Sequence, residues 1–157
     1  MAQENINIIS RSVAVTGHRT VENVNTAKLE EVFKLLIKKG YDTYLVGMAL
    51  GFDTICFNIL EKLREKYNIK IIACIPCKDQ AKYFTESQKA EYDKMVASAD
   101  EKRIFSEKFT SHCMHRRNCY MVDQSSVLIS YLKKTFGGTY NTVKYAEKKG
   151  KMVIYVD

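Results

Sequence analysis

The chain has 157 residues, 46% of them hydrophobic and 27% charged, which suits one domain able to bury a core without disulfide staples. No apolar run approaches a bilayer span, and the first five residues lack the basic start and long apolar stretch of a secretory leader, so a cytoplasmic protein with no membrane partner is expected. Five cysteines, an odd number outside a secretory context, argue against a disulfide framework, and the formal charge of +7 attracts anions without itself naming a nucleic acid.

Strand-like and helix-like segments alternate along the chain. Residues 12–16 form a short β-rich run stopped by Gly17. Asn25 or Thr26 caps a helix to about Lys39, with Leu29, Val32, Phe33, Leu36 and Ile37 on one apolar stripe and Gly40 ending it. Residues 43–46 make a second strand closed by Gly47, and a helix follows from about Phe52 to Lys66 with Ile55, Ile59, Leu60 and Leu63 inward. Residues 69–75 are apolar almost throughout, as in a parallel strand covered on both faces, and Pro76 stops them. The remaining order is helix 87–97, strand 102–105, helix 112–124, strand 126–131, helix 139–149 and strand 152–156. This alternation predicts a single α/β domain over residues 1–157, a Rossmann-like doubly wound, mostly parallel sheet with helices on both faces.

Open sheets of this kind bind ligands at the carboxyl ends of their strands, and three glycine-bearing turns fall there. They are Gly17-His18-Arg19, the stretch from Gly47 to Asp53 that includes Gly51, and Gly137-Gly138-Thr139. Adjacent glycines let a backbone approach an anion, a helix start supplies free N–H groups, and the Thr139 hydroxyl adds a donor. Arg117 and Arg19 are placed to neutralise a phosphate, with Asn118 beside Arg117, while His18 reads as a base or ribose contact. Asp53 suits a ribose hydroxyl, and Asp123 is a second acid open to the same role. Tyr83 lies in the stretch 78–92 that covers the cleft, where it can stack on a base.

The lysines spread over helices at solvated spacing, with acidic neighbours such as Glu30, Glu31, Glu61, Glu65 and Glu147, so a nucleic-acid partner is the less favoured reading. Cys74 and Cys77 form a Cys-x-x-Cys, but Cys74 sits inside an apolar strand rather than at a helix N-terminus, which favours packing over redox chemistry. His112, Cys113, His115 and Cys119 do not have the spacing of a standard zinc module, so no metal and no other cofactor is assigned.

The turns, in this order, resemble the SLOG superfamily, which unites DNA processing protein A, the LOG-type phosphoribohydrolases and the YpsA-like proteins. The chain is most similar to the YpsA-like family of small stand-alone Rossmann-like proteins. The likeness runs from Val15-Thr16-Gly17-His18-Arg19, through Gly47-Met48-Ala49-Leu50-Gly51-Phe52-Asp53 and Ile75-Pro76-Cys77, to Arg117-Asn118-Cys119-Tyr120-Met121-Val122-Asp123 and Gly137-Gly138-Thr139. Met114-x-x-Arg117-Asn118-x-x-Met121 resembles the LOG helix Met-x-x-Arg-Lys-x-x-Met, and the resemblance implies that Arg117 lies in the site. Gly137-Gly138-Thr139 resembles the start of the LOG loop Pro-Gly-Gly-x-Gly-Thr-x-x-Glu. Phe136 replaces its proline, the third glycine is missing, and Lys144 falls at the position of the catalytic glutamate.

Together these readings predict a protein that binds a nucleotide or nucleotide-derived molecule, ADP-ribose-like ligands included, as a sensor or sequestering protein. A LOG-like N-glycosidic hydrolase or transferase is the alternative, DNA binding a further one, and assembly into a homo-oligomer is left open. Lys144 disfavours hydrolysis, because glycosidic cleavage needs a carboxylate at that point.

Overall fold

Five of the six strands carry side chains that are buried or half-buried on alternate sides, so they must be covered by helices on both faces. The computed structural model describes residues 2–157. In chain order the elements are α1 (Ala2–Ser10), β1 (Ser12–Gly17), α2 (Thr26–Lys38), β2 (Thr43–Val46), α3 (Phe52–Arg64) and β3 (Lys70–Ile75). They continue with α4 (Glu86–Ser98), β4 (Glu101–Ile104), α5 (Cys113–Asp123), β5 (Val127–Tyr131), α6 (Gly138–Lys148) and β6 (Met152–Tyr155). All strand pairings are parallel, in the order β4-β3-β2-β1-β5-β6. The fold is therefore the expected doubly wound α/β arrangement, wholly rather than mostly parallel.

The period-two alternation of the strands builds two cores. Val13, Val15, Tyr44, Val46, Ile71, Ala73, Val127 and Ile129 face α2, α3 and α4, whose Leu29, Phe33, Phe52, Phe57, Leu60 and Met95 complete that layer. Ala14, Leu45, Ile72, Cys74 and Leu128 face the other way, against Met121 and Val122 of α5 and Val143 and Ala146 of α6. Emptying a fully buried position such as Phe33 or Phe57 would remove about 3–5 kcal/mol.

Element boundaries follow local chemistry. Asn25 caps α2, its side chain accepting from the Lys28 N–H at 3.0 Å. Thr85 and Gln88 form a reciprocal capping box that starts α4 at Glu86. The edge strand β4 carries Glu101, Lys102 and Arg103, charges that discourage edge-to-edge pairing. The α1 helix was not predicted. Its Ile6 and Ile8 are exposed, so these apolar residues stay outside the core.

Two glycines are fixed by packing. Phe52 stacks on Tyr131 with ring centroids 5.6 Å apart, and a β-carbon on Gly17 would lie 2.4 Å from the Phe52 side chain. Gly51 has φ +83, and a β-carbon there would lie 2.2 Å from the Arg19 carbonyl oxygen. Gly51→Ala should therefore destabilise the fold by more than about 3 kcal/mol in urea unfolding. Gly137→Ala, also at positive φ but with nothing within 4 Å, should cost only about 1–2 kcal/mol. Equal losses would show that the contact between the two turns relaxes freely.

Candidate functional site

The strand order reverses at β1, which has β2 on one side and β5 on the other. Connections leave in opposite directions there and open a crevice above the strand ends, the usual ligand position in such sheets. A cleft of about 470 Å³ occupies this place. It is lined by Gly17, His18, Arg19, Gly47, Asp53, Arg117, Asn118, Gly137, Gly138 and Thr139, together with Thr16, Met114, Met121 and Lys134 among others. Met114, Arg117, Asn118 and Met121 reach it because helical spacing puts residues three and four apart on one face of α5.

The start of α6 forms one wall. Gly137, at φ +94, turns the chain into the helix, and no side chain caps it. The first helical bond runs from the Asn141 N–H to the Gly137 carbonyl at 2.9 Å. The N–H groups of Gly138, Thr139 and Tyr140 thus have no acceptor among the described residues. A β-carbon on Gly138 would meet nothing within 4 Å, and Gly137, Gly138 and Thr139 all line the cleft. A helix start of this kind favours negative charge. Arg19 and Lys134, both exposed, stand at the mouth.

His18 ties the opposite turn to this wall. Its Nε2 accepts from the Lys133 N–H at 2.9 Å, so the ring proton resides on Nδ1. Burial, and then the nearby Lys134 charge, lower its pKa and keep the imidazole neutral.

Arg117 forms the floor rather than an arm. It is 4% exposed. Its Nη1 donates to the Gly47 carbonyl and to the Cys74 carbonyl, the latter at 3.2 Å, and its Nε donates to Asn118 Oδ1 at 2.7 Å. Only Nη2 lacks an acceptor among the described residues. Gly47 allows this approach, since a β-carbon there would lie 2.8 Å from Nη1 and 3.0 Å from Asp53 Oδ2. Asp53 is itself enclosed, accepting from the Ala49 N–H at 3.2 Å. Burial raises its pKa to about 6 against the opposing pull of Arg117 and of the Ala49 bond. Burial likewise acts to lower the pKa of Arg117, opposed first by Asp53.

The structure brings most of the expected site residues together, with three exceptions. Asp123 lies at the far end of α5, where it accepts from the Tyr145 hydroxyl at 2.8 Å and joins α5 to α6. Gly51 packs behind the His18-Arg19 turn instead of facing the cleft. Tyr83 is 89% exposed and lines a neighbouring cavity. Lys144 faces solvent, 3.4 Å from Glu147. Counted from Gly138-Thr139, the carboxylate position of the LOG pattern falls on Thr142, whose hydroxyl donates to the Gly138 carbonyl at 2.7 Å. Neither residue supplies a carboxylate. His115 Nε2 and Cys119 Sγ meet at 3.5 Å on α5, but no group of three potential metal ligands occurs among the described residues. Sequence reasoning missed Lys134 and Thr16, and the basic pair Lys133-Lys134 just before the glycines was the available signal for the first.

The fold and cleft define a doubly wound α/β protein with a polar crevice at its topological switch point. The profile of the YspA SLOG family matches residues 13–155, and the chain belongs to that family. YoqJ, an uncharacterized SPbeta prophage-derived protein of Bacillus subtilis, is 31% identical over an alignment of 135 positions that covers 76% of this chain and 78% of YoqJ. DNA processing protein A of Streptococcus pneumoniae superposes with a TM-score of 0.70 at 18% identity, over 97% of this chain and 51% of that protein. The Helicobacter pylori protein of the same name, described for its single-stranded DNA binding mode, gives 0.69 at 21% identity, over 97% and 67%. The chain spans about half the length of the Streptococcus protein, and identity this low speaks for the fold alone. No helix among the described residues is long and apolar enough to cross a membrane.

Removing the Arg117 cation takes a donor from the Gly47 and Cys74 carbonyls and the nearby positive charge from Asp53. Arg117→Met should cost about 3–5 kcal/mol in urea unfolding at neutral pH, with Asp53→Asn in the same chain recovering part of it. Full additivity of the two changes would show that the groups do not interact. The raised pKa of Asp53 also fixes the sign of a pH effect. The folded state holds this proton more tightly than the unfolded chain, so its stabilising contribution is complete below 3.8 and is lost as pH rises through about 6. The unfolding free energy of the wild type relative to Asp53→Asn should fall by about 3 kcal/mol from about pH 4 to pH 7. A flat difference would mean that Asp53 is ionised equally in both states.

Proposed function

We propose that the chain binds a phosphorylated, nucleotide-derived small molecule, with a phosphate at the start of α6, and acts as a sensor or sequestering protein. The observation that carries this reading is the set of unpaired N–H groups on Gly138, Thr139 and Tyr140, at a helix start that lines the cleft with Arg19 and Lys134. Arg117 and Asp53 set the floor, and Thr16 and Thr139 add hydroxyls at the strand and helix ends. ADP-ribose fits the class because it combines phosphate charge with ribose hydroxyls. The proposed compartment is the cytoplasm.

Two other readings have a specific observation behind them. DNA binding is favoured by the net charge of +7 and by the likeness to the Helicobacter pylori protein described for binding single-stranded DNA. Against it, the basic residues at the mouth are few, and many surface lysines are paired with acids, as Lys62 is with Glu30 and Lys78 with Glu107. Glycosidic cleavage is favoured by Asp53, a carboxylate inside the cleft with a pKa raised into the range of a general acid. Against it, Asp53 is enclosed and bound by its own turn, and α6 brings no carboxylate to the cleft.

Calorimetry with ADP-ribose, NAD and nucleoside monophosphates should detect binding to the wild type. Gly138→Asp should fold normally, because its side chain enters empty space, yet bind about 10–100-fold more weakly through loss of charged hydrogen bonds. Unchanged affinity in the folded variant removes the α6 start from the site. Single-stranded DNA bound more tightly than any nucleotide, with a steep salt dependence, would favour the DNA reading. Incubation with the same nucleotides should release no free base, and multiple turnovers lost in Asp53→Asn would replace the binding protein with a hydrolase.

A further inference from the structure

Beside the cleft lies a second cavity of about 310 Å³, above the ends of β2 and β3. Its surroundings differ in kind. Leu50, Phe84, Phe109 and Met114 give it largely apolar walls, whereas the cleft is faced by helix N–H groups, hydroxyls and cations. Arg19, Ala49 and Met114 line both, so the two spaces adjoin at these residues.

Two exposed aromatic rings stand at its rim, one of them, Tyr83, with the Lys82 ammonium 5.5 Å from its centre. Tyr83, on the loop after β3, is 89% exposed, and Phe109, on the loop after β4, is 66% exposed. Rings held in water beside a concave apolar space are suited to stacking on a planar guest. The loop that carries Tyr83 is anchored: Gln80 Nε2 donates to the Gly47 carbonyl at 3.1 Å, and the Tyr92 hydroxyl donates to Gln80 Oε1 at 3.0 Å. The floor of the second cavity is therefore fixed to the same carbonyl that Arg117 holds. A protein partner would favour a broad apolar patch, whereas here the apolar atoms converge on a small pocket that adjoins the anion cleft.

We propose that this cavity receives the flat heteroaromatic ring of the ligand whose phosphate sits at α6, so that the site selects molecules with an anion at one end and a neutral planar ring at the other. The inference rests on the phosphate assignment made above. Tyr83 and Phe109 cover the two sides of the ring, and Arg19 spans the junction, where a ribose or a second phosphate passes.

The experiment compares adenosine monophosphate with ribose 5-phosphate, which has the same anion and no ring. Calorimetry or competition should show the former binding at least tenfold more tightly to the wild type. Both rim rings are solvent-exposed, so the double variant Tyr83→Ala/Phe109→Ala keeps the fold, as a circular dichroism melt will verify. In that variant the ratio should fall toward one, while the affinity for ribose 5-phosphate stays unchanged. Equal wild-type affinities, or a ratio untouched by the double variant, would overturn the ring pocket and leave the phosphate site standing. Loss of ribose 5-phosphate binding in the double variant would place the rings at the anion and overturn the division of the site. If neither compound nor ADP-ribose binds, the phosphate assignment falls first and the ring pocket with it.

Discussion

A single buried guanidinium holds the carboxyl end of this sheet in shape. Arg117 projects from α5, a helix on one face, to the carbonyls of Gly47 and Cys74 at the ends of β2 and β3. Both lie beyond the β2–β3 pairings, which end at Val46 and Ala73, and Arg117 supplies a donor to each there. Burying a cation is unfavourable unless it is paired and hydrogen-bonded, and here the partner is Asp53 across the Cα of Gly47. The arrangement requires Gly47 to lack a side chain and requires Asp53 to stay close enough to answer the charge. Residues from three elements thus depend on one contact, and the cleft is built around it. The Gly47 carbonyl also accepts from Gln80, so the loop over the second cavity takes its position from the same point.

The glycines near the cleft divide by physical cause. Gly17 and Gly51 exist for packing: one makes room for Phe52, and the other lets two turns touch backbone to backbone. Gly47 makes room for a charged side chain. Gly137 supplies a backbone angle, and both it and Gly138 stand before unfilled space. A glycine-rich edge is therefore not a uniform sign of ligand approach. Of these turns, the one at α6 has the character of an anion site, because free N–H groups and free volume coincide there.

Much of the fold was legible because hydrophobic period and punctuation agreed. Strands of four to six apolar residues ended at Gly17, Gly47 and Pro76, and helices showed the Leu29-Phe33-Leu36 type of stripe. What escaped was the α1 helix, whose Ile6 and Ile8 stay outside the core, and the true start of α4 at Glu86, although Thr85-x-x-Gln88 announced it. At the site, residues three and four apart share a helix face, and α5 brings Met114, Arg117, Asn118 and Met121 to the cleft. Helical spacing could not reveal that Arg117 would be drawn under the floor, since that depends on carbonyls distant in the chain. Asp123 was misplaced for a related reason: it follows the Arg117 motif in sequence, but its position at the end of α5 directs it to Tyr145.

The two cavities follow from where the chain reverses direction. Above β1 and β5 the crossing connections leave a helix start facing the crevice, and its unpaired donors make that side polar. Above β2 and β3 the start of α5 reaches the cavity wall through the Met114 side chain. The chain after β3 runs through a loop anchored by Gln80 before α4 starts at Glu86, and it contributes Tyr83 and Phe84. One side of the edge therefore presents backbone donors, and the other presents side-chain carbon. Arg19, on the loop between them, is the flexible charge able to serve both. Doubly wound sheets vary what they bind by changing loops over a constant edge, and in this chain the loops after β3, β4 and β5 carry the difference.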